Sequence, residues 1–509
     1  MPYLLGIDIG TSGTKALLVE ETGRVVASAY KEYPLSQPRP GWAEQDPEEW
    51  WRAVVDAARE VLARSGLAGG DVAGVGLSGQ MHGAVVLDAN YRVLRPAILW
   101  CDQRTGAECA WMYEEIGQEK LYRWTGNPVL PGFTAPKLVW LRRHEPETYS
   151  RIRHVLLPKD YIRFRLTGEM ATEVSDASGT LLLDVTHRCW SGEILAAMGL
   201  PEEWLPRVYE SPEVTGRITP EAASITGLMA GTPVVGGGGD QAAGAVGTGV
   251  VVEGIISTAL GTSGVVFAMT DRPHTQPGSA LHSFCHAVPG KWHLMGVMLA
   301  AGGSLQWFRN QLGSEEVREA AVKNIDPYEM LTEQAAEVGP GAGGLLFLPY
   351  LLGERTPYPD PAARGAFIGL TMRHRKGHLV RAVMEGVAFG LRDSLELLRQ
   401  AGVKVEEIRV SGGGARSPLW RHILASTFKY PITTVNSTDG PAFGAALLAG
   451  VGAGIYPSVE EACRLTIKVT SRVEPIAPET DAYDRLYEIY KSLYPLLRDT
   501  MHDLTKFTE

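Results

Sequence analysis

Cysteine is scarce in this chain, which has only five cysteines in 509 residues. Their number is odd, and no two of them form a Cys-x-x-Cys pair. A disulfide framework is therefore not expected in a protein of this length, and a reducing cytoplasm is the environment that fits best.

Long hydrophobic runs are also missing. At the N-terminus Asp8 interrupts the apolar run, so the sequence predicts no signal peptide. The least polar stretch, residues 254–270, is too rich in glycine, serine and threonine for a membrane span. Lysine and arginine number 48 against 58 acidic residues, a net charge of −10. Such a mildly acidic chain gives no reason to expect a nucleic acid or membrane partner.

Glycine, in contrast, is abundant at 58 residues and is concentrated at a few places. The chain is too long for one hydrophobic core, and we expect two α/β domains, residues 1–245 and 246–509. The tetrapeptide Gly-Thr-Ser-Gly occurs twice, at residues 10–13 and 261–264, each time between two apolar strands. Because the copies lie about 250 residues apart, they indicate a duplicated domain.

Two such turns, each offering backbone amides and hydroxyls, are suited to cradle a polyphosphate.

Two charged residues flank the first turn. Asp8 ends the strand before it, where a carboxylate can hold Mg²⁺ beside phosphates or simply cap the turn. Lys15 follows it and is either a support for the phosphates or a solvated surface lysine. The spacing is not that of a Walker loop.

Asp240 is the strongest catalytic candidate. An apolar strand at residues 232–235 is followed by four glycines, Asp240 and a small-residue helix. This pattern predicts a carboxylate at the ligand-binding edge of a sheet, where it can accept a proton from an attacking sugar hydroxyl. The alternative role is to cap the helix, and both roles are compatible.

Two further segments carry polar or glycine-rich turns at strand ends. Residues 412–415, Gly-Gly-Gly-Ala, predict either a close approach to adenosine or a tight turn without ligand. Gln80 and His82 are candidates for hydrogen bonds to a polyol, with Met81 packing on its carbons. Nothing near His82 has the spacing of zinc ligands.

Two helices are clear from the pattern. One begins at Asp46-Pro47, where the aspartate can cap and the proline suits the first turn. The other is the amphipathic tail 481–504, whose expected buried stripe is Leu486, Ile489, Tyr490, Leu493 and Leu497.

Taken together, these motifs resemble the FGGY family of carbohydrate kinases over nearly the whole chain. Residues 8–15 are similar to its first phosphate loop, 260–264 to its second and 412–415 to its adenosine motif, and Asp240 falls at its catalytic base. The resemblance implies two actin-like (ribonuclease H-like) domains with a nucleotide cleft between them. It also implies ATP and Mg²⁺ as cofactors.

The resemblance extends to individual site residues. It implies that Asp8 and Asp240 serve in catalysis and metal binding. It also implies a sugar pocket formed by Met81, His82, Phe133, Asp240 and Gln241. The nucleotide residues are Thr11, Ser12, Gly13, Lys15, Gly261, Thr262, Gly303, Gln306, Gly413, Gly414 and Ser417. The segment 79–83 is similar to that of members that phosphorylate O5 of D-xylulose, although Gln241 stands where such members often carry asparagine.

Other functions remain as alternatives at this stage. Within the family, the acceptor could be another ketose or polyol, such as ribulose or glycerol. Outside it, the chain could be a chaperone or filament ATPase of the actin superfamily, or a dinucleotide oxidoreductase suggested by the glycine clusters alone. The sequence sets no oligomeric state, and a homodimer is compatible with it.

Overall fold

The computed structural model describes residues 2–437 and 439–507. The chain forms two compact units, and both mix helices with strands. The first unit comprises residues 1–252, 269–293 and 439–468, and the second comprises 253–268, 294–438 and 469–509. The predicted boundary between residues 245 and 246 stays a prediction, and it did not anticipate the two later segments that join the first unit. Among the described residues, no helix is long and apolar enough to cross a membrane.

The strands, in chain order, are β1 (Tyr3–Ile9), β2 (Gly13–Glu20), β3 (Val25–Glu32), β4 (Glu44–Gln45), β5 (Val72–Gly79), β6 (Val85–Leu87), β7 (Ala97–Ile98), β8 (His154–Leu156), β9 (Ala171–Glu173), β10 (Leu183–Asp184), β11 (Cys189–Trp190), β12 (Arg207–Tyr209), β13 (Val214–Arg217), β14 (Pro233–Val235), β15 (Gly238–Gly239), β16 (Gly254–Leu260), β17 (Gly264–Thr270), β18 (His282–Cys285), β19 (Trp292–Met298), β20 (Leu346–Leu348), β21 (Ala366–Ile368), β22 (Val405–Ser411), β23 (Ile432–Val435) and β24 (Val469–Val473).

The helices, in the same order, are α1 (Pro47–Ser65), α2 (Gly106–Glu115), α3 (Gln118–Thr125), α4 (Thr134–His144), α5 (Pro146–Arg151), α6 (Pro158–Thr167), α7 (Val174–Ser178), α8 (Gly192–Met198), α9 (Pro220–Thr226), α10 (Asp240–Gly247), α11 (Gly302–Leu312), α12 (Ser314–Lys323), α13 (Pro327–Ala336), α14 (Lys376–Gln400), α15 (Pro418–Phe428), α16 (Gly440–Gly452), α17 (Val459–Thr466) and α18 (Ala477–Thr505).

The main sheet of the first unit has the order β13-β14-β5-β1-β2-β3, with the short β15 also paired to β5. Strand β1 runs antiparallel to β2 and parallel to β5. The first Gly-Thr-Ser-Gly forms the turn between β1 and β2, so the predicted pair of strands around it is confirmed.

The second unit repeats this arrangement. Its strands lie in the order β19-β17-β16-β22-β23-β24. Here β16 runs antiparallel to β17 and parallel to β22, and the second Gly-Thr-Ser-Gly forms the turn between β16 and β17. Each turn therefore joins an antiparallel pair whose first strand has a parallel neighbour, as a duplication predicts.

Helix α1 begins where the sequence predicted. The Asp46 carboxylate accepts a hydrogen bond from the backbone amide of Glu48 at 3.0 Å, and Pro47 is the first helical residue. The helix ends at Gly66, which adopts a left-handed conformation. Its apolar face, which includes the fully buried Trp50, packs into the core beside β1 and β2.

The buried stripe of α18 differs from the prediction. Tyr483, Tyr487, Tyr490 and Tyr494 are buried, whereas Ile489 is 52% exposed. Tyrosines can take core positions because their hydroxyls find acceptors there. In the second unit the Tyr483 hydroxyl donates to Glu385 at 2.9 Å and the Tyr487 hydroxyl to Asp393 at 2.6 Å. Of the predicted stripe only Tyr490 is fully buried, so that prediction was wrong in its helical phase.

Helix α16 packs on the first unit's sheet at backbone distance, which explains why residues 439–468 belong there. A β-carbon on Gly6 or Gly76 would lie 1.9 Å from a carbonyl oxygen of this helix. On the helix itself, a β-carbon on Gly444 would lie 1.8 Å from the Ala243 oxygen of α10. Only glycine fits these contacts without moving backbone.

We expect Gly444→Ala to lower the free energy of unfolding by about 1–3 kcal/mol, because α10 and α16 must separate to admit the methyl group. Urea unfolding followed by circular dichroism measures the change. Gly106→Ala is the control, since no atom lies within 4 Å of its added β-carbon. Equal stabilities for the two variants would contradict this account of the packing.

Candidate active site

Asp8 and Asp240 are brought to the same edge of the first unit's sheet. Strand β5 lies between the two strands that carry them, because β1 and β15 both pair with it in parallel. In this register Asp8 and Gly238 both lie opposite Ser78. Asp240 follows two residues after Gly238, as the first residue of α10. The predicted placement of this carboxylate at the carboxyl ends of parallel strands is therefore present.

The surroundings disfavour negative charge on both carboxylates. Burial raises the pKa of Asp8 to about 7, and the nearby charges of Asp240 and Asp439 act in the same direction. Burial also raises the pKa of Asp240 to about 6, opposed by hydrogen bonds from Gln241. The backbone amide of Gln241 donates to the Asp240 carboxylate at 2.8 Å. Asp240 does not cap α10, because Gly239 occupies the cap position.

A cation is the natural partner for such a pair. The Asp8 Oδ1 atom is buried and accepts no hydrogen bond from the residues that the structure describes. Among all residues that the structure describes, no group of three or more histidine, cysteine or acidic side chains is arranged to hold a metal. Two carboxylates nonetheless suit Mg²⁺, which takes one or two protein carboxylates and completes its shell with water and phosphate oxygens.

The first Gly-Thr-Ser-Gly turn is held by a buried amide network. The Gln45 side chain donates to the Thr11 carbonyl at 2.7 Å, and Gln80 donates to the Gln45 side-chain oxygen at 3.0 Å. The Trp100 indole donates to the Thr11 hydroxyl at 2.9 Å. Gln80 is only 3% exposed. Its predicted role in binding a polyol was therefore wrong, because its side chain is used to hold the turn.

The remaining residues of this turn leave room for a ligand. Ser12 is exposed, while Gly13 is required because a β-carbon there would lie 2.6 Å from the Lys31 carbonyl oxygen. Lys15 lies opposite Asp8 in the β1–β2 register and forms an ion pair with Asp439 at 3.3 Å. The geometry leaves its part in phosphate binding a prediction.

Met81 packs beneath the glycines that precede Asp240. A β-carbon on Gly239 would lie 2.9 Å from the Met81 Cγ atom, so glycine lets this thioether approach the junction. Gln241 is half-buried next to Asp240. The sugar-pocket residues Met81 and Gln241 thus adjoin the Asp240 junction within one unit.

His82 is clamped in an unusual backbone conformation, with φ at 70°. Its Nδ1 atom lies 2.5 Å from the Gly179 carbonyl oxygen. Because a carbonyl can only accept, Nδ1 carries the proton and Nε2 is an acceptor in the neutral ring. The Phe133 ring lies against the imidazole, with centroids 4.6 Å apart.

Two residues that hold the His82 backbone carbonyl were not predicted from the sequence. The Lys137 ammonium donates to the His82 carbonyl at 2.8 Å, and the Thr134 hydroxyl donates to the same oxygen at 3.0 Å. Burial lowers the pKa of Lys137 to about 7. The only local signal was a lysine and a threonine on the helix that follows Phe133, and this signal did not point to their target.

The second unit contains a cavity of about 800 Å³, large enough for a nucleotide. Predicted nucleotide residues form much of its lining: Gly261, Thr262, Gln306, Gly413, Gly414 and Ser417. Gly303 lies just behind, with its amide donating to the Thr262 carbonyl at 3.0 Å. The far wall comes from α13, with Asp326, Tyr328, Glu329, Thr332 and Glu333, which sequence analysis missed.

The glycines of this cavity have different constraints. A β-carbon on Gly414 would lie 2.3 Å from Leu260, and Gly412 has φ at 84°. At Gly413, in contrast, a β-carbon would meet no atom within 4 Å. A side chain at Gly413 is therefore free to extend into the cavity without disturbing the fold.

A carboxylate pair at a sheet edge, duplicated hairpin turns and a nucleotide-sized cavity are features that fit the class of ATP-dependent sugar kinases. The chain belongs to the FGGY family of carbohydrate kinases. Residues 3–247 match the N-terminal domain of that family, and residues 256–453 match its C-terminal domain. This membership confirms the predicted family and favours neither the oxidoreductase nor the chaperone or filament alternative.

Individual relatives cover nearly the whole chain. It is 44% identical over 498 residues to xylulose kinase of Escherichia coli (strain K12), with 98% of this chain and 99% of that protein covered. It is 40% identical over 507 residues to xylulose kinase of Bacillus subtilis (strain 168), covering 100% and 99%. A crystal structure of ligand-bound xylulose kinase from Lactobacillus acidophilus is similar with a TM-score of 0.91 at 28% identity, covering 99% and 100%.

We expect Gly413→Leu to weaken ATP binding by at least about tenfold, equal to about 1.4 kcal/mol, because the added side chain would occupy the cavity. Calorimetric titration with ATP measures the affinity, and thermal melting should show an unchanged midpoint. Gly339→Leu is the matched control, because a β-carbon there also meets no atom within 4 Å and Gly339 does not line the cavity, so ATP affinity should be unchanged. Undiminished ATP affinity in Gly413→Leu would place the nucleotide elsewhere.

Proposed function

We propose that this chain transfers the γ-phosphoryl group of ATP to O5 of D-xylulose, giving D-xylulose 5-phosphate and ADP. The observation that carries the proposal is the position of Asp240, a carboxylate at the sheet edge adjoining the Met81–His82 pocket. The names of the two full-length relatives support xylulose as the acceptor.

The sugar binds through side chains of the first unit. The Nε2 atom of His82 accepts a hydrogen bond from a sugar hydroxyl, since its Nδ1 proton is already given to Gly179. Met81 and Phe133 contribute apolar surface toward the carbons of the sugar. Gln241 contributes an amide that can both donate and accept.

Asp240 acts as the general base. As O5 forms its bond to the γ-phosphorus, the hydroxyl proton moves to the Asp240 carboxylate, and the bond from that phosphorus to the β–γ bridging oxygen breaks, releasing ADP. The raised pKa of Asp240, about 6, makes it a stronger base than an ordinary aspartate while leaving it mostly ionised at neutral pH. The backbone amides of Thr11, Ser12 and Gly13, the Ser12 hydroxyl and Lys15 stabilise charge on the transferred group.

Asp8 and Asp240 together are suited to hold Mg²⁺, which would neutralise charge on the phosphates and on the two carboxylates. The nucleotide is held by the second unit. Gly261 and Thr262 contact its phosphates, and Gly413, Gly414 and Ser417 adjoin the adenosine, with Gly303 and Gln306 along the border of the cavity.

We expect Asp240→Asn to lower kcat about 10²–10⁴-fold, because the variant lacks the base that accepts the hydroxyl proton. ADP release with MgATP and D-xylulose, coupled to a spectrophotometric readout, measures the rate. ATP affinity should change little, since the nucleotide cavity is built from other residues. Near-full turnover by the variant would show that Asp240 is not the base.

The same assay separates the candidate acceptors. D-Ribulose and glycerol serve as controls and should give a much lower kcat/KM than D-xylulose. A higher value for either control would keep the kinase class but assign it a different acceptor.

A further inference from the structure

A group of four charged side chains lies buried in the first unit behind the Asp240 junction. The Lys159 ammonium lies 2.7 Å from Asp160, 3.4 Å from Glu173 and 3.4 Å from Asp176. All four side chains are inaccessible to solvent. We call these residues the Lys159 cluster. Buried ion pairs add little net stability compared with apolar packing, which points to a role for the Lys159 cluster other than stability.

Lys159 keeps its positive charge inside the cluster. Burial disfavours the charged ammonium, but Asp160, Glu173 and Asp176 more than offset this and hold the pKa of Lys159 above its usual range. Burial raises the pKa of Asp176, with Lys159 opposing the rise. One ammonium therefore remains fixed among three acidic side chains, where it restrains their positions.

Glu173 connects this cluster to the start of α7. Its carboxylate caps the helix by accepting the backbone amides of Ser175 and Asp176, both at 2.8 Å. The Ser175 hydroxyl also donates to Glu173, at 2.9 Å, and the Ser211 hydroxyl donates to its other oxygen at 2.7 Å. The carboxylate is thus held from several directions.

Ser175 carries the connection on to the catalytic junction. Its hydroxyl oxygen accepts the Gly239 backbone amide at 3.1 Å. Because the single hydroxyl proton is given to Glu173, the oxygen lone pairs remain available to that amide. Gly239 immediately precedes Asp240 and packs against Met81, so its peptide is fixed between Ser175 and Met81.

We propose that Ser175 is a positioning residue, held by Glu173 and Lys159, that fixes the Gly238–Gly239 peptide and so places Asp240, the next residue, for proton transfer. The inference rests on the proposed role of Asp240 as base. Proton transfer depends steeply on placement, and a displacement of about 1 Å can cost about 10²-fold in rate. A buried hydroxyl that holds the backbone amide of the residue before the base supplies such placement without touching the substrate.

Ser175→Ala tests the proposal. We expect kcat to fall roughly 10- to 100-fold, with the KM values for D-xylulose and ATP within about twofold of wild type. Ser175→Thr, which keeps the hydroxyl, should regain most of the lost kcat. Ser211→Ala is the matched control, because it removes a similar buried hydroxyl from the same Glu173 carboxylate without touching Gly239. Its kcat should stay within about twofold of wild type.

The melting temperatures of all variants show whether a fall in kcat comes from lost stability of the fold or from lost positioning of Asp240. Wild-type kcat in Ser175→Ala, or an equal fall in kcat in Ser211→Ala, would overturn the proposal. Asp240→Asn in the same assay separates the proposed base role of Asp240 from the proposed positioning role of Ser175. Lost turnover in Asp240→Asn with normal turnover in Ser175→Ala rejects only the positioning role, whereas full turnover in Asp240→Asn rejects the base itself.

Discussion

The site of the first unit depends on one electrostatic constraint, the placement of Asp8 and Asp240 at a single sheet edge where burial disfavours their charge. The constraint follows from topology, because β1 and β15 both pair with β5 and bring their ends together. Apolar side chains in place of these two carboxylates would make the free energy of folding more favourable. The raised pKa values therefore mark a place where stability has been given up, as is typical of functional sites.

Around this pair, the fold supplies rigidity by close backbone contact and by buried polar networks. The amides of Gln45 and Gln80 hold the first turn, while the Lys159 cluster is connected through Ser175 to the backbone amide of Gly239, the residue before Asp240. Glycines let backbones approach where side chains would separate them, as where Gly444 lies against the Ala243 carbonyl. Residues that lie behind the proposed sugar and phosphate contacts thus hold the candidate site in place.

Much of this could be predicted from sequence because the signals are local. Both hairpin turns, the start of α1 at Asp46-Pro47 and the strand–glycine–helix around Asp240 are each encoded within about a dozen residues. The parts that could not be predicted are contacts between distant residues. Gln80 resembled a ligand until its partner Gln45, 35 residues away, was placed beside it. Likewise, no local pattern joins residues 439–468 to the first unit, and the phase of α18 depends on acceptors in α14.

The stability of Asp8→Asn as a function of pH tests the electrostatic constraint most directly. In wild type the folded pKa of Asp8, about 7, lies above the unfolded value of about 3.9, so folding favours the protonated form and loses stability as pH rises toward 8. Asparagine does not titrate. Urea unfolding at pH 5 and pH 8, with the exposed Asp499→Asn as control, should therefore show Asp8→Asn gaining on wild type at the higher pH. The same stability difference at both pH values would contradict the account.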